Sequence, residues 1–159
     1  MSNLTFVAPV DNYTSAETFT RGRARRLAYA TPVVPSSDHG QTPGRPATYN
    51  VEHHGTTIAT YRRVADVLDA PAQLGTFLAM TTLDTGGYDT ATTARRLHML
   101  IPREHRGAWL SIGRSGGRTV VRDAYGYETP MRRLHLTLSG GAVVETPGGR
   151  FIRVTDDRY

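Results

Sequence analysis

A chain of 159 residues is one domain's worth, long enough to bury a core without covalent staples. It has no cysteine, which excludes disulfides, thiolate nucleophiles, zinc ribbons and iron-sulfur sites. The formal charge is +5, the pI is near 10, and all 19 basic residues are arginine, a balance that points to an anionic partner.

The missing lysine has a bland explanation in a GC-rich coding sequence, because arginine is spread along the whole chain. No apolar run approaches the roughly 20 residues that span a bilayer, and the first residues lack the basic-then-apolar layout of a signal peptide. A soluble, intracellular protein with no membrane partner is the expectation.

In chain order, residues 1–10 read as an extended lead-in. A helix is predicted from an N-cap at Thr14 through Leu27, with Gly22 weakening it by about 1 kcal/mol relative to alanine. Arg21, Arg23, Arg25 and Arg26 would spread around that helix, as a secondary basic patch or simply as a solvated face. Prolines at 32, 35, 43 and 46 and glycines at 40 and 44 then predict an exposed loop over 31–47. The expected organisation is an N-terminal arm with a basic helix (1–30), this Pro/Gly-rich loop, and a single core domain over 48–155.

Within that core, Thr48–His53 and Thr56–Tyr61 alternate as the arms of a hairpin across His54-Gly55. Residues 62–75 predict one short helical turn and then a loop, since Pro71 stops any helix. Strand character returns over Thr76–Leu83. Beyond it, Ala94, Leu97 and Ile101 repeat at helical spacing until Pro102. Two further hairpins are predicted about Ser115-Gly116-Gly117 and Ser139-Gly140-Gly141, and a last strand over Arg150–Val154. The fold class is α+β: a mostly antiparallel twisted sheet, a meander of six to eight strands, with two helices packed on it.

Few constellations carry chemistry. His53 and His54 are adjacent on an expected strand, so their side chains would point to opposite faces, and His39, His98, His105 and His135 have no ligand spacing. No metal and no cofactor are expected. There is no Gly-x-Ser-x-Gly, and Asp84 and Asp89 beside a glycine turn read first as turn or cap residues. An enzyme therefore ranks last, to be reconsidered if Asp84, Asp89 and His98 converge in one cleft.

The stretch from Leu83 to His98 stands apart. A strand breaks at Gly86-Gly87 and a helix begins behind Thr90 or Thr92. The free N–H groups of its first turn and the helix dipole would favour an anion. Gly86 and Gly87 let a ligand approach the backbone, Tyr88 offers a stacking face, Thr90, Thr92 and Thr93 offer hydroxyls, and Arg95 or Arg96 supplies charge. The same residues also make an ordinary strand-turn-helix junction.

Gly86-Gly87-Tyr88-x-Thr90-x-Thr92-Thr93-x-x-Arg96-Leu97-His98 resembles the signature of a family of small uncharacterised proteins from tailed bacteriophages and prophages, Gly-Gly-aromatic-x-Thr-x-Thr-Thr-x-x-Arg-aliphatic-Asn. Arg25-Arg26-Leu27, Tyr29-Ala30-Thr31, His54-Gly55-Thr56-Thr57-Ile58 and Trp109 extend the likeness from about Arg21 to Val154. Of the two arginines only Arg96 belongs to the pattern. His98 stands where the pattern has Asn, and Tyr88 where it often has Trp. The resemblance implies a phage-encoded protein in the bacterial host cytoplasm and implies no mechanism.

Three functions of different class follow. The first is non-enzymatic binding of nucleic acid, DNA or RNA, with a phosphate at the helix N-terminus and Tyr88 or Trp109 stacked on a base. The second is sequestration of a small phosphorylated nucleotide signal of host immunity. The third is a virion accessory or a protein that binds a host protein through its sheet edge or proline-rich loop.

Overall fold

The computed structural model describes residues 10–37, 39, 44–63, 79–138 and 141–154. Within them lie two helices and eleven strands, an α+β fold in which every strand pairing is antiparallel. The elements are α1 (Tyr13–Thr20), β1 (Arg25–Ala28), β2 (Thr31–Pro35), β3 (Thr48–His53), β4 (Thr56–Arg62), β5 (Ala79–Asp84) and α2 (Ala91–Leu100). They continue with β6 (Ser111–Ser115), β7 (Arg118–Arg122), β8 (Glu128–Pro130), β9 (Arg133–Thr137), β10 (Ala142–Glu145) and β11 (Phe151–Val154). One eight-stranded sheet runs β1-β2-β3-β4-β5-β9-β10-β11, and β6-β7-β8 make a second of three strands.

Register fixes which face is the core. Val33, Val51, Ala59, Leu83, Leu134 and Val144 are successive cross-strand partners, so they form one row on one face, and all are buried. Tyr49, Tyr61, Thr81, Leu136, Ala142 and Val154 form the neighbouring row on that face. Tyr49 packs edge-on against Tyr13 of α1, and the Tyr61 hydroxyl donates to the Leu100 carbonyl of α2 at 2.7 Å. Both helices therefore lie on the same face. Ala94, Leu97 and Leu100 turn the buried stripe of α2 towards the sheet, each leucine contributing about 2 kcal/mol by burial.

Three expectations change. The N-terminal helix ends at Thr20, where Arg21 takes a left-handed conformation (φ 51°) and Gly22 follows at φ 85°. Arg25 and Arg26 are consequently on strand β1. Within the ranges 1–30 and 31–47, expected as an arm and a loop, the described strands β1 and β2 continue the core sheet through β3. Pro32 is accommodated beside a register shift between Arg26 and Ala28, and Pro35 ends its strand, so neither interrupts a regular ladder. Finally, β8 has no counterpart in the sequence pattern. The helical turn expected within 62–75 and the Gly-Gly turn at 140 lie outside the described residues.

Candidate functional site

The loop from β5 to α2 is built on two glycines and two aspartates. Gly86 (φ 66°) and Gly87 (φ 85°) are left-handed, and a Cβ on Gly86 would come within 2.6 Å of Thr56 Cγ2, so the turn presses directly on the β3–β4 hairpin. Asp84 Oδ1 accepts from the Gly86 N–H at 2.7 Å, while its Oδ2 accepts from Arg133 Nε at 2.9 Å. Asp89 accepts from the Thr119 N–H at 2.7 Å, from the Thr119 hydroxyl at 2.6 Å and from Arg114 Nη1. Burial alone would raise the Asp89 carboxyl, but the Thr119 hydrogen bonds and the Arg114 charge outweigh it and bring the pKa below the usual carboxylate range.

Thr90 is the N-cap of α2: its hydroxyl accepts from the Thr93 N–H at 3.2 Å and donates to the Thr93 hydroxyl at 3.1 Å. Gly87, Tyr88, Asp89, Thr90, Ala91 and Thr92 are all exposed in unbroken sequence. The surface at the amino end of α2 is thus open along the loop. Thr93 faces inward and is buried, which removes it from the expected ligand set. Trp109 is also buried, 5% exposed, with its Nε1–H donated to His105 Nδ1 at 3.1 Å, so its ring offers no face to a base.

Arg96 is half-buried and turned towards the hairpin tips. Its Nη1 donates to the Thr31 hydroxyl at 3.0 Å and to His53 Nδ1 at 2.6 Å. The same Nη1 lies 3.2 Å from His53 Nε2, so the guanidinium meets the imidazole across both ring nitrogens. Burial, and then the Arg96 and His54 charges, hold the His53 pKa below its ordinary value.

Sequence pattern does not bring Tyr29, Thr31, His53 and His54 together, yet the folded sheet places them beside α2. Tyr29-Ala30 and His54-Gly55 are the tips of neighbouring hairpins, joined by the His54 N–H donated to the Ala30 carbonyl at 2.9 Å. His54 is in a turn with φ 49°, so strand alternation does not apply to it, and its ring lies 4.3 Å from that of His53, not on the opposite face. The Tyr29 and His54 rings meet edge to face at 6.1 Å. The strong turn dipeptide His54-Gly55 was the available signal. All four arginines of the secondary patch are exposed, Arg25 and Arg26 on β1, whose last residue precedes Tyr29.

The remaining candidates separate. His98 Nδ1 accepts from the Ile112 N–H at 3.2 Å, which ties α2 to β6, whereas Asp84 meets Arg132 and Arg133, and Asp89 meets Thr119 and Arg114. These three groups are held by different partners. On the sheet face opposite the helices, Arg62 Nη1 donates to the Thr82 hydroxyl at 3.2 Å. Thr82 is 3.2 Å from His135 Nδ1, and His135 Nε2 is 3.5 Å from Glu145. A cavity of about 170 Å³, open to solvent, lies elsewhere, between Gly107–Ser111 and Arg122–Ala124. Among the described residues no three His, Asp or Glu side chains converge as a metal site, and no helix is long and apolar enough to cross a membrane. No protein-family model matches the chain, and comparison with curated proteins and with solved structures finds no match.

Proposed function

We propose that this chain is a non-enzymatic nucleic-acid-binding protein whose contact surface is the open loop and amino end of α2, with Gly86, Gly87, Tyr88, Thr90 and Thr92 along it. The observation that carries this reading is the character of the exposed surface. Among the described residues the large apolar side chains left exposed are Tyr29, Tyr88, Tyr125, Tyr127 and Phe151, every one aromatic, on a chain of net charge +5. Aromatic faces interleaved with arginine are what sequence-tolerant binding of bases and phosphates requires. The unbroken exposure of 87–92 favours an open contact surface over the enclosed pocket that a small phosphorylated molecule would need.

Arg96 enters this reading as the residue that ties the hairpin tips to α2 beside that surface. The likeness of residues 86–98 to the tailed-phage signature supports a phage-encoded protein working in the host cytoplasm. Fluorescence anisotropy with labelled DNA and RNA oligonucleotides, repeated across salt concentrations, tests the function. Contact with about three phosphates gives a slope of log K against log salt of about −2. No binding at micromolar protein, or binding indifferent to salt, contradicts it.

A further inference from the structure

We propose that Tyr29 and His54 form a stacking site for an unpaired nucleobase, so that the nucleic acid bound is a single strand. The inference rests on the nucleic-acid reading above and adds to it the site, the strandedness and two residues outside the loop before α2.

Tyr29 is 75% exposed on a two-residue hairpin turn, a position where burial contributes nothing to keeping an aromatic ring. Its ring packs at a steep angle against that of His54, and its exposure leaves ring surface open. His54 is exposed as well, and it occupies the first position of a turn whose two residues both have positive φ, where asparagine or glycine is the unstrained choice. Ala30, bonded to it through the backbone, is also left-handed at φ 53°. Two strained residues thus hold neighbouring tips in place.

The tip has contacts beneath it. The His53 ring packs on His54 and meets Arg96 Nη1 and the Thr31 Oγ1, the latter 3.3 Å from its Nδ1. On the far side of the same tip, Thr56 touches the Gly86 turn that carries Tyr88. Two exposed tyrosines therefore flank one histidine tip, and the exposed arginines of β1 lead up to one of them. Stacked base pairs in a duplex present no free base face to such a row, whereas a single strand does.

The test measures the affinities of the wild-type protein, Tyr29→Ala, Tyr29→Phe and His54→Asn for thymidine and uridine strands of about 12 nucleotides and for a duplex of equal length. Tyr29→Ala is expected to weaken both single strands about tenfold, with Tyr29→Phe restoring them, and to leave the duplex unchanged. His54→Asn is expected to weaken the single strands at least threefold while its unfolding temperature stays level or rises, because asparagine suits the left-handed turn. If the wild type binds the duplex as tightly as the strands, or Tyr29→Ala and His54→Asn bind the strands like the wild type, the stacking site is overturned and nucleic-acid binding stands. If the wild type binds none of the probes, both readings fall.

Discussion

At the scale of single residues, the threonine cluster divides by direction. Thr90 caps α2 and Thr93 completes the cap from inside, so Thr90→Ala is expected to lower stability by about 1 kcal/mol in urea denaturation. Thr92 is exposed and makes no cap, and Thr92→Ala should stay within about 0.5 kcal/mol of the parent. Arg96 has a structural share as well as a place beside the proposed contact surface. Arg96→Ala removes the donor to a half-buried His53 and should cost about 1–3 kcal/mol by the same measurement, an effect that an exposed arginine would not show. His98 could give way to asparagine without loss of its hydrogen bond. Its Nδ1 is attached to Cγ as asparagine Oδ1 is, and either atom can accept from the Ile112 N–H.

At the scale of elements, the sequence made the hairpins and α2 legible and concealed the sheet's first two strands. Ala94, Leu97 and Pro102 delimit a helix by spacing alone, and Gly116-Gly117 can hardly be anything but a hairpin turn. β1 and β2 were hidden because their identity depends on partners. Arg25 and Arg26 look helical beside α1, and Pro32 looks like a breaker until the bulge opposite it is known. The candidate site divided the same way: the loop over 84–92 is local and readable, while Tyr29, Thr31, His53 and His54 meet only because β1 through β4 are neighbours in the sheet. The close seat of that loop on the hairpin gives its own prediction. Gly86→Ala adds a methyl 2.6 Å from Thr56 Cγ2 at φ 66°, whereas at Gly87 nothing lies within reach of a Cβ. Gly86→Ala should therefore destabilise by about 2 kcal/mol or more and Gly87→Ala by about 1 kcal/mol, compared by thermal unfolding.

At the scale of the whole molecule, three histidines on different elements have pKa values lowered chiefly by burial: His53, His98 and His135. Each prefers its neutral form when folded, so the unfolded chain takes up more protons once the pH drops below the ordinary histidine value of about 6.5. Stability is therefore full above that value and declines as the pH falls towards the folded-state pKa values. Urea midpoints measured from about pH 7 down to about pH 5 should fall steadily, and His98→Asn should flatten part of that decline. A midpoint constant over the interval would contradict the assignment.

One row, from Tyr29 across His54 to Tyr88, is proposed to receive a single strand, while the other exposed tyrosines among the described residues, Tyr125 and Tyr127, sit on the separate turn between β7 and β8. Photocrosslinking with an oligonucleotide carrying 4-thiothymidine, followed by mapping of the modified peptides, tests it most directly. Adducts at Tyr29, His54 or Tyr88 that disappear at high salt are the predicted result. Adducts confined to Tyr125 and Tyr127, or spread without preference over the surface, would contradict it.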